Sequence, residues 1–156
     1  MRGDPEMIEF LNEALTAELT AVNQYFLHAK LCGHWGYERM AKSFYDESIG
    51  EMKDAEALME RILHLDGLPN LQRLNPVGVG ENIPEQIELA REIEEAAVAR
   101  YNRGVALARS KEDNGSRAVL EEILRGEEEH LDWIESQQRI LGEIGVERYL
   151  LLQVRS

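Results

Sequence analysis

The chain has 156 residues, of which 44% are hydrophobic, and this is enough for one domain with a substantial core. Thirty acidic residues against 17 basic ones give a formal net charge of −13, which opposes binding to nucleic acid and favours cations. No apolar stretch approaches the roughly 20 residues that cross a bilayer, so we expect no membrane span. The lone Cys32 and an N-terminus without a secretory signal predict a cytoplasmic protein.

Apolar residues recur at helical spacing in the first half of the chain. Asp4 and Pro5 have the residue types of an N-cap and a first helical position, and helix A continues from them to about His34. The pattern resumes near Glu38 and stops at Gly67, which gives helix B. Helices A and B are therefore expected to form an antiparallel pair.

The second half of the chain begins with a long connection. Residues 67–83 contain three Gly, two Pro and three Asn without a helical period, and they are long enough to travel the length of a bundle. Pro84 opens helix C, which lasts until the turn at residues 111–116, and helix D follows to about Gly142. A short apolar segment, residues 146–154, closes the chain. This order predicts an all-α, ferritin-like four-helix bundle with one long crossover and a short fifth helix, as a single domain over residues 1–156.

Four glutamates interrupt the apolar faces of the four long helices. Each has apolar neighbours three, four or seven residues away, so each should point into the core. Burying unpaired carboxylates costs several kcal/mol unless they are protonated or neutralised by a cation. The four residues are Glu18, Glu51, Glu94 and Glu127.

Two further side chains complete this acidic pattern. His130 follows Glu127 by three residues and Asp54 follows Glu51 by three, so each shares a helix face with its glutamate. One Glu from each of two helices, with a Glu-x-x-His pair from each of the other two, is the di-iron arrangement of ferritin-like bundles, and Asp54 is its one substitution here. An isolated pair is common on acidic helices, but one acid on each of four faces predicts a metal site. Carboxylates with an imidazole favour iron or manganese, and zinc is an alternative.

Helix B carries a second apolar stripe. Met52 points about 100° away from Glu51 and cannot share its direction. Apolar residues on both sides of a helix indicate that the bundle covers one side and a partner covers the other, which predicts dimerisation. The stripe comprises Tyr45, Ile49, Met52 and Met59, with Leu19, Asn23 and Phe26 beside it on helix A.

Several runs of residues resemble bacterioferritin, and the resemblance covers essentially the whole chain. They are Asn23-Gln24-Tyr25-Phe26-Leu27-His28-Ala29, Glu47-Ser48-Ile49, Glu51-Met52-Lys53, Glu60-Arg61-Ile62-Leu63, Asp66-Gly67-Leu68-Pro69-Asn70 and Glu128-Glu129-His130-Leu131-Asp132-Trp133. This resemblance implies a ferroxidase that oxidises Fe(II) with dioxygen or peroxide and stores ferric mineral. It also implies a hollow homo-oligomeric shell of 24 subunits, b-type haem shared between two subunits, and a ferredoxin-like electron donor.

The resemblance also implies roles for individual residues. The two irons would be held by Glu18, Glu51, Glu94, Glu127 and His130, with Asp54 at the position of a further His. Tyr25, one helical repeat beyond Glu18, is either an electron donor or an ordinary core tyrosine. Met52 matches the axial haem ligand, and because two methionines leave no open position on the haem iron, the haem serves as an electron path. The remaining haem-contacting candidates are Leu19, Asn23, Phe26, Tyr45 and Ile49.

Asp54 is the main departure from the family pattern. Aspartate is shorter than histidine and adds a negative charge, so the second iron is expected to bind weakly or to recruit Glu47, four residues before Glu51. The first alternative is therefore a haem-binding subunit with an impaired ferroxidase centre, in a mixed shell beside a complete partner subunit. The second alternative is an acidic helical interaction module whose buried carboxylates are only hydrogen-bonded.

Overall fold

The computed structural model describes residues 1–155, which form five helices and no β-strand. The helices are α1 (Pro5–His34), α2 (Glu38–His64), α3 (Ile83–Ser110), α4 (Asn114–Ile144) and α5 (Val146–Leu151). The predicted all-α class, the long connection after the second helix and the short fifth helix are confirmed. No helix within residues 1–155 combines the length and apolar character needed to cross a membrane.

Capping contacts set the helix ends. The Asp4 carboxylate accepts hydrogen bonds from two backbone N–H groups in the first turn of α1. Asp113 accepts a hydrogen bond from the N–H of Ser116 in the same way, so α4 begins inside the segment 111–116 that the sequence predicted to be a turn. At the other end of the chain, α5 ends at Leu151, and the N–H of Gln153 donates to the carbonyl of Leu150 in the turn that follows.

The left-handed residue that follows α2 lies one position before the glycine that the sequence predicted. Gly67 was expected to stop the helix, but the left-handed residue is Asp66, with φ of 60°. A short polar side chain tolerates this conformation better than most. Gly67 is required for a close approach instead, because a Cβ atom there would lie 2.8 Å from Cγ2 of Ile8. Its N–H bonds to the carbonyl of Ile62 and closes the turn.

Each long helix crosses two apolar regions with a glutamate between them. α1 packs mainly against α2 and α3 against α4, while α1–α3 and α2–α4 contacts join the pairs. One apolar cluster contains Leu15, Ala55, Ala97 and Ile123, and the other contains Ala21, Phe44, Ala90 and Ile134. The glutamates that separate the two clusters along each helix form a carboxylate layer, which consists of Glu18, Glu51, Glu94 and Glu127.

Buried polar contacts hold the last part of the crossover against the bundle. The N–H of Gly80 donates to Nε2 of His28 at 2.9 Å, and the N–H of Gly78 donates to the side-chain oxygen of Gln24 at 3.0 Å. The Gln86 amide donates to the carbonyl of Gly80. His28 is fully buried, and this burial lowers the pKa of its imidazole to about 4. His28 is thus a packing residue with a defined backbone partner.

Candidate metal centre

The carboxylate layer lies in the middle of the bundle. Relative exposure is 2% for Glu18, 1% for Glu51 and Glu127, and 0% for Glu94. The burial that was predicted from the apolar faces of the four helices is therefore confirmed. Each helix contributes its glutamate from a position flanked by core residues, so the layer is fixed by the packing of the whole bundle.

The side chains of the layer combine with three others in two groups of four. Within each group, one ligand atom from each residue lies within 4.8 Å of the others. We call them the aspartate group and the histidine group, and Glu51 belongs to both. The aspartate group is Glu18, Glu51, Asp54 and Glu127, and the histidine group is Glu47, Glu51, Glu94 and His130. All six side chains that the sequence predicted as metal ligands are thus brought together.

Buried polar atoms without partners are concentrated in this centre. Among residues 1–155, eight buried side-chain nitrogen or oxygen atoms lack a hydrogen-bond partner, and six of them belong to the two groups. Each such atom costs about 1–3 kcal/mol, more when it is charged. A cation would satisfy these carboxylate oxygens and the imidazole, and that donor set suits iron, manganese or zinc. The six atoms are Glu18 Oε2, Glu47 Oε2, Glu51 Oε1, Glu94 Oε2, Glu127 Oε1 and His130 Nδ1.

Without a cation, the electrostatics of the centre favour protonated carboxyl groups. Burial raises the pKa of Glu51 well above its ordinary value, and the nearby charge of Glu18 raises it further. Burial also raises the pKa values of Glu18 and Glu127. For Asp54, burial followed by the charge of Glu18 raises the pKa to about 7. Cation binding must therefore displace protons from this site.

Two buried tyrosines donate hydrogen bonds to the carboxylate layer. The hydroxyl of Tyr25 donates to Oε1 of Glu94 at 2.7 Å, and the hydroxyl of Tyr101 donates to Oε1 of Glu18. Burial raises both hydroxyl pKa values well above the ordinary one, and the neighbouring carboxylates add to the effect. Tyr101 was not predicted as a site residue, although its spacing of seven residues from Glu94 placed it on the same helix face. These hydroxyls stay neutral and orient the carboxylates.

Glu47 contacts His130 directly. Its Oε2 lies 2.7 Å from Nδ1 of the imidazole, whereas Glu51 and Glu94 oxygens lie 3.8 Å and 4.0 Å from that nitrogen. Burial tends to lower the pKa of His130, but the nearby carboxylates, Glu47 first and then Glu94 and Asp54, outweigh burial and raise the pKa. Burial raises the pKa of Glu47. The sequence offered Glu47 only as a replacement ligand, and the structure places it in the group that lacks Asp54.

The residues predicted to contact haem lie outside this centre, on the surface of α1 and α2. Met52 is 49% exposed while its neighbour Glu51 is buried, so the predicted difference in direction is confirmed. The exposed rings of Phe26 and Tyr45 lie 6.2 Å apart, and the Lys30 ammonium lies over the Phe26 ring. Asn23 is also exposed, and its amide donates to the carbonyl of the partly buried Leu19. The outward-facing apolar strip on α1 and α2 consists of Leu19, Asn23, Phe26, Tyr45, Ile49 and Met52.

Comparison with known proteins identifies close relatives. Residues 8–142 match the ferritin-like domain family. A bacterioferritin of Streptomyces coelicolor is 52% identical over 150 residues, which cover 96% of this chain and 90% of that protein. Bacterioferritins of Mycobacterium leprae and Brucella melitensis are 46% and 43% identical over 149 residues, covering 96% of this chain and 94% and 92% of theirs.

Proposed function

The chain belongs to the bacterioferritin family of ferritin-like proteins, and from this we propose that it is an iron-storage subunit with ferroxidase activity at the candidate metal centre. Its substrate is Fe(II), its oxidant is dioxygen or peroxide, and its product is ferric mineral inside a hollow shell of many copies. We place this shell in the cytoplasm, with a ferredoxin-like protein as electron donor.

One observation carries this proposal. Each of the four glutamates of the carboxylate layer is at least 98% buried and keeps one oxygen without a hydrogen-bond partner. As carboxylates, these groups leave four buried oxygens unsatisfied, whereas buried polar groups in native proteins nearly always have partners. This argues against an acidic interaction module and in favour of a site built for divalent cations.

The arrangement of the two groups supports oxidation of Fe(II) in pairs. The aspartate group and the histidine group each offer four donors, and the shared Glu51 keeps the two ions close together. Two Fe(II) ions held in this way give one electron each to a single oxidant. The hydroxyls of Tyr25 and Tyr101 keep the carboxylates of Glu94 and Glu18 oriented toward the ions. Tyr25 is also a candidate donor of a further electron, since its hydroxyl bonds to Glu94.

We also assign a haem site to the apolar strip on α1 and α2. Its support is the exposed thioether of Met52 among exposed aromatic and aliphatic side chains, which a second copy of the chain would cover. Met52 from each of two copies would hold b-type haem, and the haem supplies a one-electron path for reduction of the mineral. Phe26, Tyr45 and Ile49 would exclude water from its faces.

Stopped-flow oxidation of Fe(II) tests the ferroxidase proposal. The double variant Glu127→Ala with His130→Ala should oxidise two Fe(II) per subunit no faster than buffer, while gel filtration still shows the assembled shell. The matched control replaces the exposed neighbours Glu128 and Glu129 by alanine and should keep the wild-type rate.

The possible results separate the competing functions. An undiminished rate in the double variant would remove the proposed centre. A wild type that assembles and binds haem but oxidises slowly would support the impaired subunit of a mixed shell. A small, colourless and iron-free wild type would support the interaction module.

A further inference from the structure

We infer that Glu47 is a metal ligand in the histidine group. On this assignment the chain holds its two metal ions with seven side chains, whereas the family resemblance supplies six. The inference rests on the proposed function, because it concerns the same centre. It assigns to α2 three ligating residues on successive turns, which are Glu47, Glu51 and Asp54.

The contact between Glu47 and His130 has the geometry of two ligands that share an ion. Oε2 of Glu47 and Nδ1 of His130 are only 2.7 Å apart, yet neither atom has a hydrogen-bond partner of acceptable alignment. An ordinary ion pair would align the imidazole N–H with the oxygen. Two unpartnered donor atoms this close together can both reach one cation.

Buried donors complete the coordination sphere beside this pair. Oε1 of Glu51 also lacks a partner and lies 3.8 Å from Nδ1 of His130. Oε1 of Glu94, which accepts the Tyr25 hydroxyl, lies 4.0 Å from the same nitrogen, and the two glutamate side chains are 1% and 0% exposed. A fully buried carboxylate oxygen that no protein group satisfies points independently to a ligand at this place. The histidine group thus offers four donors within 4.8 Å, without any contribution from Asp54.

Glu47 and Asp54 lie in different groups, so the donor that Glu47 adds does not take the place of the histidine that Asp54 replaces. Asp54 lies with Glu18, Glu51 and Glu127, so its shorter side chain affects the aspartate group. Glu47 adds a donor to the opposite group, which brings the number of donor side chains to seven. The neighbouring carboxylate of Asp46 is not part of this arrangement, since it pairs with Lys42 at 2.7 Å on the exposed side of α2.

Anaerobic titration of the assembled protein with Co(II) alone tests this assignment. Wild type should bind two Co(II) per subunit, with the d–d absorption of ions held by oxygen and nitrogen donors. In Glu47→Gln, which keeps the size of the side chain, the affinity of one of the two ions should fall by about tenfold or more. Asp46→Asn removes the same charge one residue away and should keep both affinities within about twofold.

Anomalous diffraction at the cobalt edge completes the test. An ion within bonding distance of both Glu47 Oε2 and His130 Nδ1 would support the assignment. If Glu47→Gln binds Co(II) as tightly as Asp46→Asn, or if the ion lies beyond reach of Glu47, the assignment is wrong while the proposed function stands. If wild type binds no Co(II), the proposed function itself fails.

Discussion

Acidification should release the crossover from the bundle through protonation of His28. In the folded protein the imidazole is fully buried, its Nε2 accepts the N–H of Gly80, and burial lowers its pKa to about 4 from an ordinary value of 6.5. When the crossover opens, the imidazole regains its ordinary pKa. Because the pKa of His28 is lower in the folded protein, its contribution to the stability of the closed crossover is complete well above pH 6.5. That contribution is lost as the pH falls toward 4.

The size of the effect follows from these two pKa values. Between about pH 7.5 and pH 5, the open form binds protons that the folded form does not. The free energy of opening therefore falls by about 2 kcal/mol over this range. This corresponds to an opening equilibrium about thirtyfold more favourable at the lower pH. At pH values below 4 the loss should level off near 3 kcal/mol, or about 2.5 pKa units.

Hydrogen exchange measured by mass spectrometry reports this opening directly. After correction for the pH dependence of intrinsic exchange, protection of the amides of Gly78 and Gly80 should fall about thirtyfold from pH 7.5 to pH 5. His28→Gln provides the control, since its side-chain oxygen can accept the same N–H but does not titrate. Equal loss of protection in wild type and His28→Gln would refute the reasoning, because the titrating group would then lie elsewhere.

Three further predictions concern the centre, the haem strip and the packing of the bundle. Asp54→Ala should slow the oxidation of two Fe(II) per subunit, measured by stopped flow, by about tenfold or more, because it removes a donor from the aspartate group. An unchanged rate would indicate that Asp54 is not an effective ligand in the wild type. Met52→Leu should preserve the shell and abolish the haem absorption band, and normal haem content after this change contradicts the assignment. Gly104→Ala should lower the free energy of unfolding by about 1–3 kcal/mol, and Tm with it, since the added Cβ would lie 2.4 Å from the Phe10 ring. Gly126→Ala, where a Cβ meets nothing within 4 Å, should not lower Tm, and equal effects of the two changes would exclude the packing explanation.

The features that the sequence predicted correctly depend on local periodicity. Helical spacing alone placed Glu18 and Glu94 among core residues, and the three-residue interval placed Asp54 in one group with Glu51. The direction of Met52 followed from the angle between adjacent helical residues. Such patterns repeat within one or two turns, so they can be read without knowledge of how the helices pack.

The features that the sequence did not predict depend on contacts between distant segments. Tyr101 reaches Glu18 across the interface between α3 and α1, and Glu47 reaches His130 between α2 and α4. Neither distance follows from the spacing along a single helix. The partner of His28 is set by the path of a crossover that has no period, and the left-handed residue Asp66 replaces the glycine that usually marks a helix end.

The carboxylate layer places stability and iron handling in opposition at the same four positions. Well-packed apolar residues in place of buried charged groups often stabilise a protein by several kcal/mol. A bundle with leucines at residues 18, 51, 94 and 127 would join the two apolar clusters into one and is expected to withstand more denaturant in iron-free buffer. Selection for heat resistance alone would therefore drive laboratory evolution of this chain toward a sturdier shell that no longer recognises iron.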